Sequence, residues 1–384
     1  SGSGAAEGVL ERGNLPYTAP TYWGGGGPGW GGYVVHLPAE MWRVYGDRRI
    51  IEQMMPTMEE WLGFLETKAK GNLLRRWGGE WDFLGDWLWP GAKGVNGDTR
   101  ETLFFNNAYW IYNLDTAADL ARVVGRGELA ERWSGRAAEV RKAVHAEFRD
   151  AAEGGYVGGG QAYQALALVA RVPPGDQLGA VWKRLEREIL EVRGGHIHAG
   201  ITGGSFLFKA LMAARRDDLL LSMVAQEGYP GWIHMLRQGA TTFWESWEDN
   251  PSLSYLHSSF LYLGAWFVER GLGIQPTTPG FSSFTVSPPR VDPAVLGWAR
   301  GGIDTVRGRI EVEWGRRERE FELGLTVPPN TRAEVWIPCG DSVLEPGAER
   351  DRLGAEPGVR VLGATGGRLG VEVGSGRYLF RTRL

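Results

Sequence analysis

Around Thr277–Pro279 the hydrophobic period of the chain changes, and that change constrains the fold more than any single motif. From about Gly32 to Ile274, apolar residues recur at helical spacing in segments separated by glycine-rich connectors. The spacing predicts helices near 36–46, 49–69, 101–125, 127–149, 160–171, 177–192, 203–215, 217–226 and 254–271. Beyond it, Pro276, Pro279, Pro288, Pro289 and Pro293 punctuate short runs, and alternation at period two takes over in 282–287, 308–314, 319–327, 331–337, 359–362 and 377–383. A helical stretch followed by a stretch of strands reads as two domains, a helical one over 1–275 and a small antiparallel β-sandwich over 276–384. Paired helices joined by long connectors suit a helical barrel whose loops form a funnel at one end, and periodicity equally allows an open helical array.

The connectors carry the chemistry. The chain holds 18 Trp and 58 Gly among 384 residues, a loop-rich, aromatic composition that suits a carbohydrate cavity as well as a heavy aromatic core. The run Gly239-Ala240-Thr241-Thr242-Phe243-Trp244-Glu245-Ser246-Trp247-Glu248-Asp249 sets Glu245 between two indoles. A carboxylate supplies an acid or base, and tryptophans stack on the C–H faces of a pyranose and restrict water. The competing reading is that Trp244 and Trp247, three apart on a helical turn, pack into a core while Glu245 faces solvent.

A second cluster, Trp77 to Trp89, holds Glu80, Asp82 and Asp86 among Trp77, Trp81, Trp87 and Trp89. Asp86, Trp87 and Trp81 are its candidate substrate contacts, although an Asp beside a Trp on a loop more often bonds a backbone turn. The run Tyr22-Trp23-Gly24-Gly25-Gly26-Gly27-Pro28-Gly29-Trp30-Gly31-Gly32 reads as neither helix nor strand interior. It offers Trp30 as a further contact and lacks the Lys-Ser/Thr of a phosphate loop. His196 and His198 sit two apart with no third ligand nearby, so a sugar hydroxyl suits His196 better than a metal. His257 follows Glu245 closely and joins the candidate set.

A net charge of −4 with interspersed signs gives no basic stripe for nucleic acid. No apolar run approaches the ~20 residues that cross a bilayer. The single Cys339 excludes an internal disulfide and leaves the compartment open. No metal, nucleotide or flavin is called for. The opening Ser1-Gly2-Ser3-Gly4 has no initiator Met, so the natural protein is expected to begin further upstream.

Taken together, Ala19-Pro20-Thr21-Tyr22-Trp23 through Gly32, Leu84-Gly85-Asp86-Trp87, Gly194-Gly195-His196, Gly239 through Trp247, Pro279-Gly280-Phe281 and Leu296-Gly297-Trp298-Ala299 resemble the bacterial α-L-rhamnosidases, glycoside hydrolase family 78. The order of the blocks fits along almost the whole chain. The resemblance implies a mainly α fold, an (α/α)6 six-hairpin barrel followed by a C-terminal antiparallel β-sandwich. It implies hydrolysis of terminal α-L-rhamnose from rhamnosides or polysaccharides with inversion, and Glu245 as general base.

The family's general acid block, Asp-Cys-Pro-x-Arg-x-Glu, lies upstream of the first segment present and is absent from this chain. The family's sugar-binding His position holds Tyr255, with His257 nearby. The helices read from periodicity are fewer than a full ring needs. The barrel is therefore expected to be incomplete at its N-terminus, with an open groove and an exposed apolar flank there. Two other readings stay open. One is a related barrel enzyme acting on uronyl sugars, with an acid from the Glu80, Asp82 and Asp86 cluster; the other is a carbohydrate-binding chain without turnover.

Overall fold

Helices dominate up to Leu272, broken by two short ladders, β1 (Ala69–Lys70) with β2 (Leu73–Leu74) and β3 (Arg149–Asp150) with β4 (Gly155–Tyr156), in the computed structural model, which describes residues 11–18, 24–79, 81–92, 97, 99–340 and 358–384. The long elements are α2 (Tyr33–Tyr45), α3 (Arg49–Thr67), α4 (Arg100–Val123) and α5 (Gly127–Phe148), with α6 (Gln161–Val169), α7 (Leu178–Arg187), α8 (Ile201–Ala213) and α9 (Asp217–Val224) after them. On α3 the buried Ile51, Met55, Met58, Leu62 and Leu65 form the apolar stripe that periodicity marked. The start of α4 is set by Thr99, whose hydroxyl accepts the Thr102 N–H at 3.2 Å. Its end falls before Gly125, which adopts φ +78° as a helix terminator. Tyr33 and Leu37, one turn apart on α2, are exposed.

Three fully buried asparagines make α4 the post to which the connectors are tied. Asn106 donates to the Leu84 carbonyl (2.8 Å), Asn107 donates to the Leu74 carbonyl and accepts its N–H, and Asn113 donates to the Pro28 carbonyl at 3.1 Å. Buried amides carry such bonds because an unsatisfied polar group inside a core is costly.

Two expectations are corrected in this region. The glycine run contains a short helical turn, α1 (Gly27–Gly31), with Pro28 in its first turn. Its glycines serve close approach: a Cβ on Gly29 would press Phe105 at 3.2 Å, and one on Gly31 would clash with the Trp61 indole at 2.7 Å. The helix placed over 254–271 begins only at α11 (Tyr262–Trp266), and 254–257 instead pairs with 243–245. One further helix, α10 (Trp232–Arg237), is too short to declare a period.

His36 on α2 lies against this scaffold, stacked on Tyr112 at 4.3 Å with its Nε2 2.6 Å from Asn113 Oδ1. Because the Asn113 amide nitrogen already donates to Pro28, its oxygen is the acceptor and His36 carries its proton on Nε2. Burial lowers the imidazole to about 4; the Asn113 bond pulls it up and Lys209 pushes it down. A base lowered on folding contributes stability that is fully present above its unfolded value near 6.5 and is lost as pH falls toward 4. Wild-type thermal midpoints are expected to fall more steeply through that window than those of His36→Gln, which cannot titrate. The difference amounts to about 3 kcal/mol at most, since the residue is not fully buried. Melts at about pH 7 and about pH 4 check it, and parallel curves would remove His36 as the cause.

The chain forms two compact units, Ser1–Ala39, Arg48–Leu211 and Ser222–Phe260 in one and Glu40–Asp47, Met212–Leu221 and Leu261–Leu384 in the other. The second unit holds two sheets. One runs β11 (Val359–Thr365), β12 (Arg368–Val373), β10 (Arg332–Pro338), β6 (Ser283–Val286), β5 (Ile274–Pro276). The other runs β13 (Gly376–Arg383), β9 (Glu320–Val327), β8 (Gly308–Arg317), β7 (Trp298–Thr305). Inward residues of both, among them Phe284, Val335, Val371, Val312, Trp314, Leu323 and Phe380, form one core. Pairing is antiparallel except between β6 and β10, which run parallel. In the same unit Asp217 is buried against Arg270 and accepts the Trp266 indole N–H at 3.1 Å.

Candidate active site

Glu245 sits in an irregular loop, not on the helical turn that Trp-x-x-Trp spacing allows. Its N–H donates to the Ser254 carbonyl (2.9 Å), the His257 N–H donates to the Phe243 carbonyl (2.9 Å), and the Thr242 hydroxyl donates to the Tyr255 carbonyl. This short ladder holds Glu245 half-buried. Its carboxylate Oε2 accepts the Ser254 N–H at 3.0 Å. One oxygen is thereby oriented by backbone while the group stays partly open, an arrangement suited to a base that must meet a water.

The two indoles beside it are not sugar platforms. Trp247 is fully buried, stacked on Phe260 at 3.9 Å and set edge-on to Trp232, and its Nε1 donates to the Ala199 carbonyl at 2.9 Å. Trp244 is buried too, edge-on to Tyr255 at 5.4 Å. Burial corrects the expectation of stacking for both, because a ring covered on its faces has none to offer a pyranose. Their part is to hold the loop.

The Ala199–Gly200 peptide ties that loop to the second cluster. Its carbonyl takes the Trp247 indole, and its N–H donates to Asp86 Oδ2 at 2.7 Å. Asp86 is 5% exposed and also accepts from Gly203 N (2.7 Å) and Trp87 N (3.0 Å). It thus caps the start of α8 from 114 residues away in sequence, where helix N–H groups lack partners. Burial pushes its carboxyl up to about 6, against the downward pull of the Gly203, Gly200, Trp87 and Thr202 N–H groups.

Asp82 is likewise committed, accepting Gly25 N at 2.8 Å and Gly79 N at 2.6 Å. Both carboxylates are taken up by backbone N–H groups, which weighs against Asp82 and Asp86 as the acid. Glu80, Tyr22 and Trp23 lie outside the described residues.

Aromatic surface does remain open nearby. Trp81 is exposed, stacks loosely on Tyr17 (6.4 Å) and meets the half-buried Trp87 edge-on at 5.8 Å. Trp30 is half-buried beside Gly26, where a Cβ would lie between Tyr17 and Trp30.

In the His196-Ile197-His198 stretch burial alternates: Ile197 is fully buried while both histidines are half-exposed. The buried Gln161 clamps it, donating to the His196 carbonyl (2.9 Å) and accepting the His198 N–H (2.8 Å). His196 Nδ1 lies 3.2 Å from the Pro230 carbonyl. The His257 ring bonds the Ser259 hydroxyl. Burial lowers His198 to about 4, with Arg193 adding to the effect. Among the described residues no three His, Cys, Asp or Glu gather as a metal cage, and no helix is long and apolar enough to cross a membrane.

A recess of about 240 Å³ is lined by Asp86, Trp89, Glu101, Tyr163, Glu188 and His198 among others, and a wider one of about 490 Å³ by His196, His198, Arg193 and Tyr229. Glu101, Tyr163 and Glu188 carried no sequence signal as site residues. Glu101 reads as an ordinary first-turn acid and Glu188 as one charge on an amphipathic helix, where it pairs with Arg193 at 3.1 Å.

Glu248 was passed over in the same way. It accepts Gly91 N (3.0 Å) and the hydroxyls of Tyr229 and Ser246. Its burial is outweighed by these donors, which hold it below the usual carboxylate range. The connectors around 86–91, 196–200, 229–230 and 243–257 are thus stitched together by Asp86, Trp247 and Glu248.

Comparison with known proteins gives this cluster a family. Residues 5–270 match the bacterial α-L-rhamnosidase six-hairpin glycosidase domain, and residues 273–351 match the bacterial α-L-rhamnosidase C-terminal domain. An α-L-rhamnosidase of Alteromonas sp. (strain LOR) is 31% identical over 332 residues, covering 82% of this chain and 35% of its own. One from Streptomyces avermitilis is 28% identical over 366 residues, 93% of this chain and 33% of its own. The chain therefore spans about a third of the length of these curated relatives.

Among solved structures, the Streptomyces avermitilis α-L-rhamnosidase complexed with L-rhamnose superposes with a TM-score of 0.82 at 26% identity, over 97% of this chain and 35% of that one. The Dictyoglumus thermophilum α-L-rhamnosidase shares the fold at a TM-score of 0.82 and 23% identity, over 97% and 42%. The expected mainly α six-hairpin fold with a C-terminal sheet domain is the one these matches carry. The chain belongs to the bacterial α-L-rhamnosidase six-hairpin glycosidase family.

Proposed function

We propose that the protein to which this chain belongs hydrolyses terminal α-L-rhamnosidic bonds of rhamnosides or polysaccharides with inversion at the anomeric carbon. Glu245 is the general base that activates water, and the general acid comes from sequence outside these 384 residues. The observation that carries this reading is the half-buried Glu245 carboxylate, oriented by Ser254 in a loop bound to the other aromatic connectors. Family membership and a relative solved with L-rhamnose support the sugar. Trp81, Trp87 and Trp30 are the accessible stacking surfaces in this reading, and His196 and His257 the hydroxyl partners. The reading needs no cofactor.

An inverting pair stands roughly 6.5–9.5 Å apart to admit the attacking water. The backbone-bound Asp82 and Asp86 leave the acid's place open for a residue from elsewhere. Turnover of an aryl α-L-rhamnoside is therefore expected only when the chain is extended upstream to include the family's acid block. Proton NMR of the first-formed sugar should show the β anomer. Turnover by the 384-residue chain alone would require an acid inside it, and a first-formed α anomer would remove inversion.

A further inference from the structure

The loop that carries Glu245 holds two further acids, Glu248 and Asp249, and the three are committed differently. The Glu245 carboxylate takes the Ser254 N–H on Oε2 at 3.0 Å, and among the described residues nothing bonds its Oε1. Asp249 takes the Tyr255 hydroxyl inside the same loop. Glu248 reaches other connectors. Its Oε1 accepts Gly91 N at 3.0 Å and the Tyr229 hydroxyl, 157 and 19 residues away in sequence, while its Oε2 accepts the Ser246 hydroxyl. An acid with an open oxygen is placed to take a proton from water; one whose two oxygens serve three donors is placed to hold them.

That hold reaches Glu245 through a single residue. Ser246 is 3% exposed, and its hydroxyl is bonded twice to Glu248, donating to Oε2 and accepting the backbone N–H at 3.3 Å. The residue that follows Glu245 is thereby tied to a side chain whose other oxygen is tied to Gly91 and Tyr229. Tyr229 is itself braced, its ring edge-on to His234 of α10 at 5.7 Å. On the preceding side, Ser254 bonds both the Glu245 N–H and its carboxylate. Glu245 thus stands between two restraints, one from its own loop and one from the connectors around 91 and 229. A small displacement of a reacting group costs much of a rate, so restraint at this point bears on catalysis.

We propose that Glu248 is a positioning residue for the hydrolysis: acting through Ser246, it holds Glu245 where its carboxylate meets the attacking water, and Tyr229 shares that task. The inference rests on Glu245 as the base.

The test uses the upstream-extended protein and an aryl α-L-rhamnoside. Glu248→Ala is expected to lower kcat at least about tenfold and leave L-rhamnose binding within about threefold of wild type, because a shifted base leaves the sugar held. Glu248→Gln is expected to recover most of that loss, since its amide oxygen accepts from Gly91 and Tyr229 while its NH₂ donates to the Ser246 hydroxyl. A group that moved protons itself would fail as Gln as fully as it fails as Ala. Equal loss in the two variants therefore overturns the proposal, and so does unchanged kcat in Glu248→Ala. Tyr229→Phe deletes one of the three donors. It should lower kcat severalfold and add nothing further in the Glu248→Ala background, whereas independent effects multiply. If Glu248→Ala does not fold, Tyr229→Phe decides alone: a fall in kcat with rhamnose binding unchanged supports the proposal, and no fall overturns it. Azide separates positioning of the base from upkeep of the sugar site. In Glu245→Ala it attacks the sugar without a base, so adding Glu248→Ala should leave the rate of rhamnosyl azide formation within about twofold. A larger fall would place Glu248 with the sugar or the fold and overturn its action through Glu245. Unchanged kcat in Glu245→Gln is the separate result that removes the base itself, and this proposal with it.

Discussion

Glu245→Gln, made in a form of the protein that turns over an aryl α-L-rhamnoside, is expected to lower kcat by ~10²–10⁴-fold and leave L-rhamnose binding within a few-fold of wild type. The amide has the size and shape of the carboxylate, and its oxygen still accepts the Ser254 N–H, so the loop ladder survives. What disappears is the lone pair basic enough to take a proton from water as the bond to the sugar forms. A group that acts only in the transition state affects kcat and kcat/KM equally, and that equality is the first signature to seek. A second separates chemistry from structure. In Glu245→Ala, azide enters the vacated space and attacks without needing a base, so a rhamnosyl azide of inverted configuration should accumulate. Unchanged kcat in the Gln variant removes Glu245 from the mechanism; loss of both turnover and rhamnose binding makes it a structural residue of the loop.

How much of this was legible differs from residue to residue. The switch from helical to strand period near Thr277 is visible because both sides carry strong amphipathic patterns, as Ile51, Met55, Met58 and Leu62 show on α3. The strand Trp298–Thr305 escaped notice because Gly301 and Gly302 erase its alternation, and 368–373 because Gly370 does the same. Around Glu245 the sequence left open whether Trp244 and Trp247 stack on a sugar or pack into a core, and both are buried. Spacing does not say whether Trp247 faces a cavity or Phe260, since that depends on a carbonyl at Ala199 supplied by a distant connector. The helix predicted through 254–260 failed for a related reason: the backbone bonds from 243–245 to 254–257 compete with helical ones, and only the tertiary fold decides between them. Asp86 stood out as an acid among tryptophans, yet its partners are backbone N–H groups that no side-chain pattern announces.

Those partners make Asp86→Ala the substitution expected to cost most in stability, about 3–5 kcal/mol, read as a fall in the urea midpoint at constant slope. Removing the carboxylate leaves the N–H groups of Gly200, Thr202 and Gly203 unpaired at a buried helix start, and frees Trp87 N as well. Asp86→Asn should fall between wild type and Ala, because one amide oxygen can still accept while the NH₂ meets N–H groups that also donate. Activity is expected to drop in both, through displacement of the 86–91 and 196–200 connectors that hold the Glu245 loop by way of Ala199 and Gly91. A positioning role lowers kcat without changing the pKa values that bound the pH–rate profile. An Asp86 that served as general acid would instead carry one limb of that profile, near its raised value of about 6, and Asp86→Asn would erase it. The shape of the pH profile in that variant, more than the size of its activity loss, therefore decides whether this carboxylate binds backbone or delivers a proton.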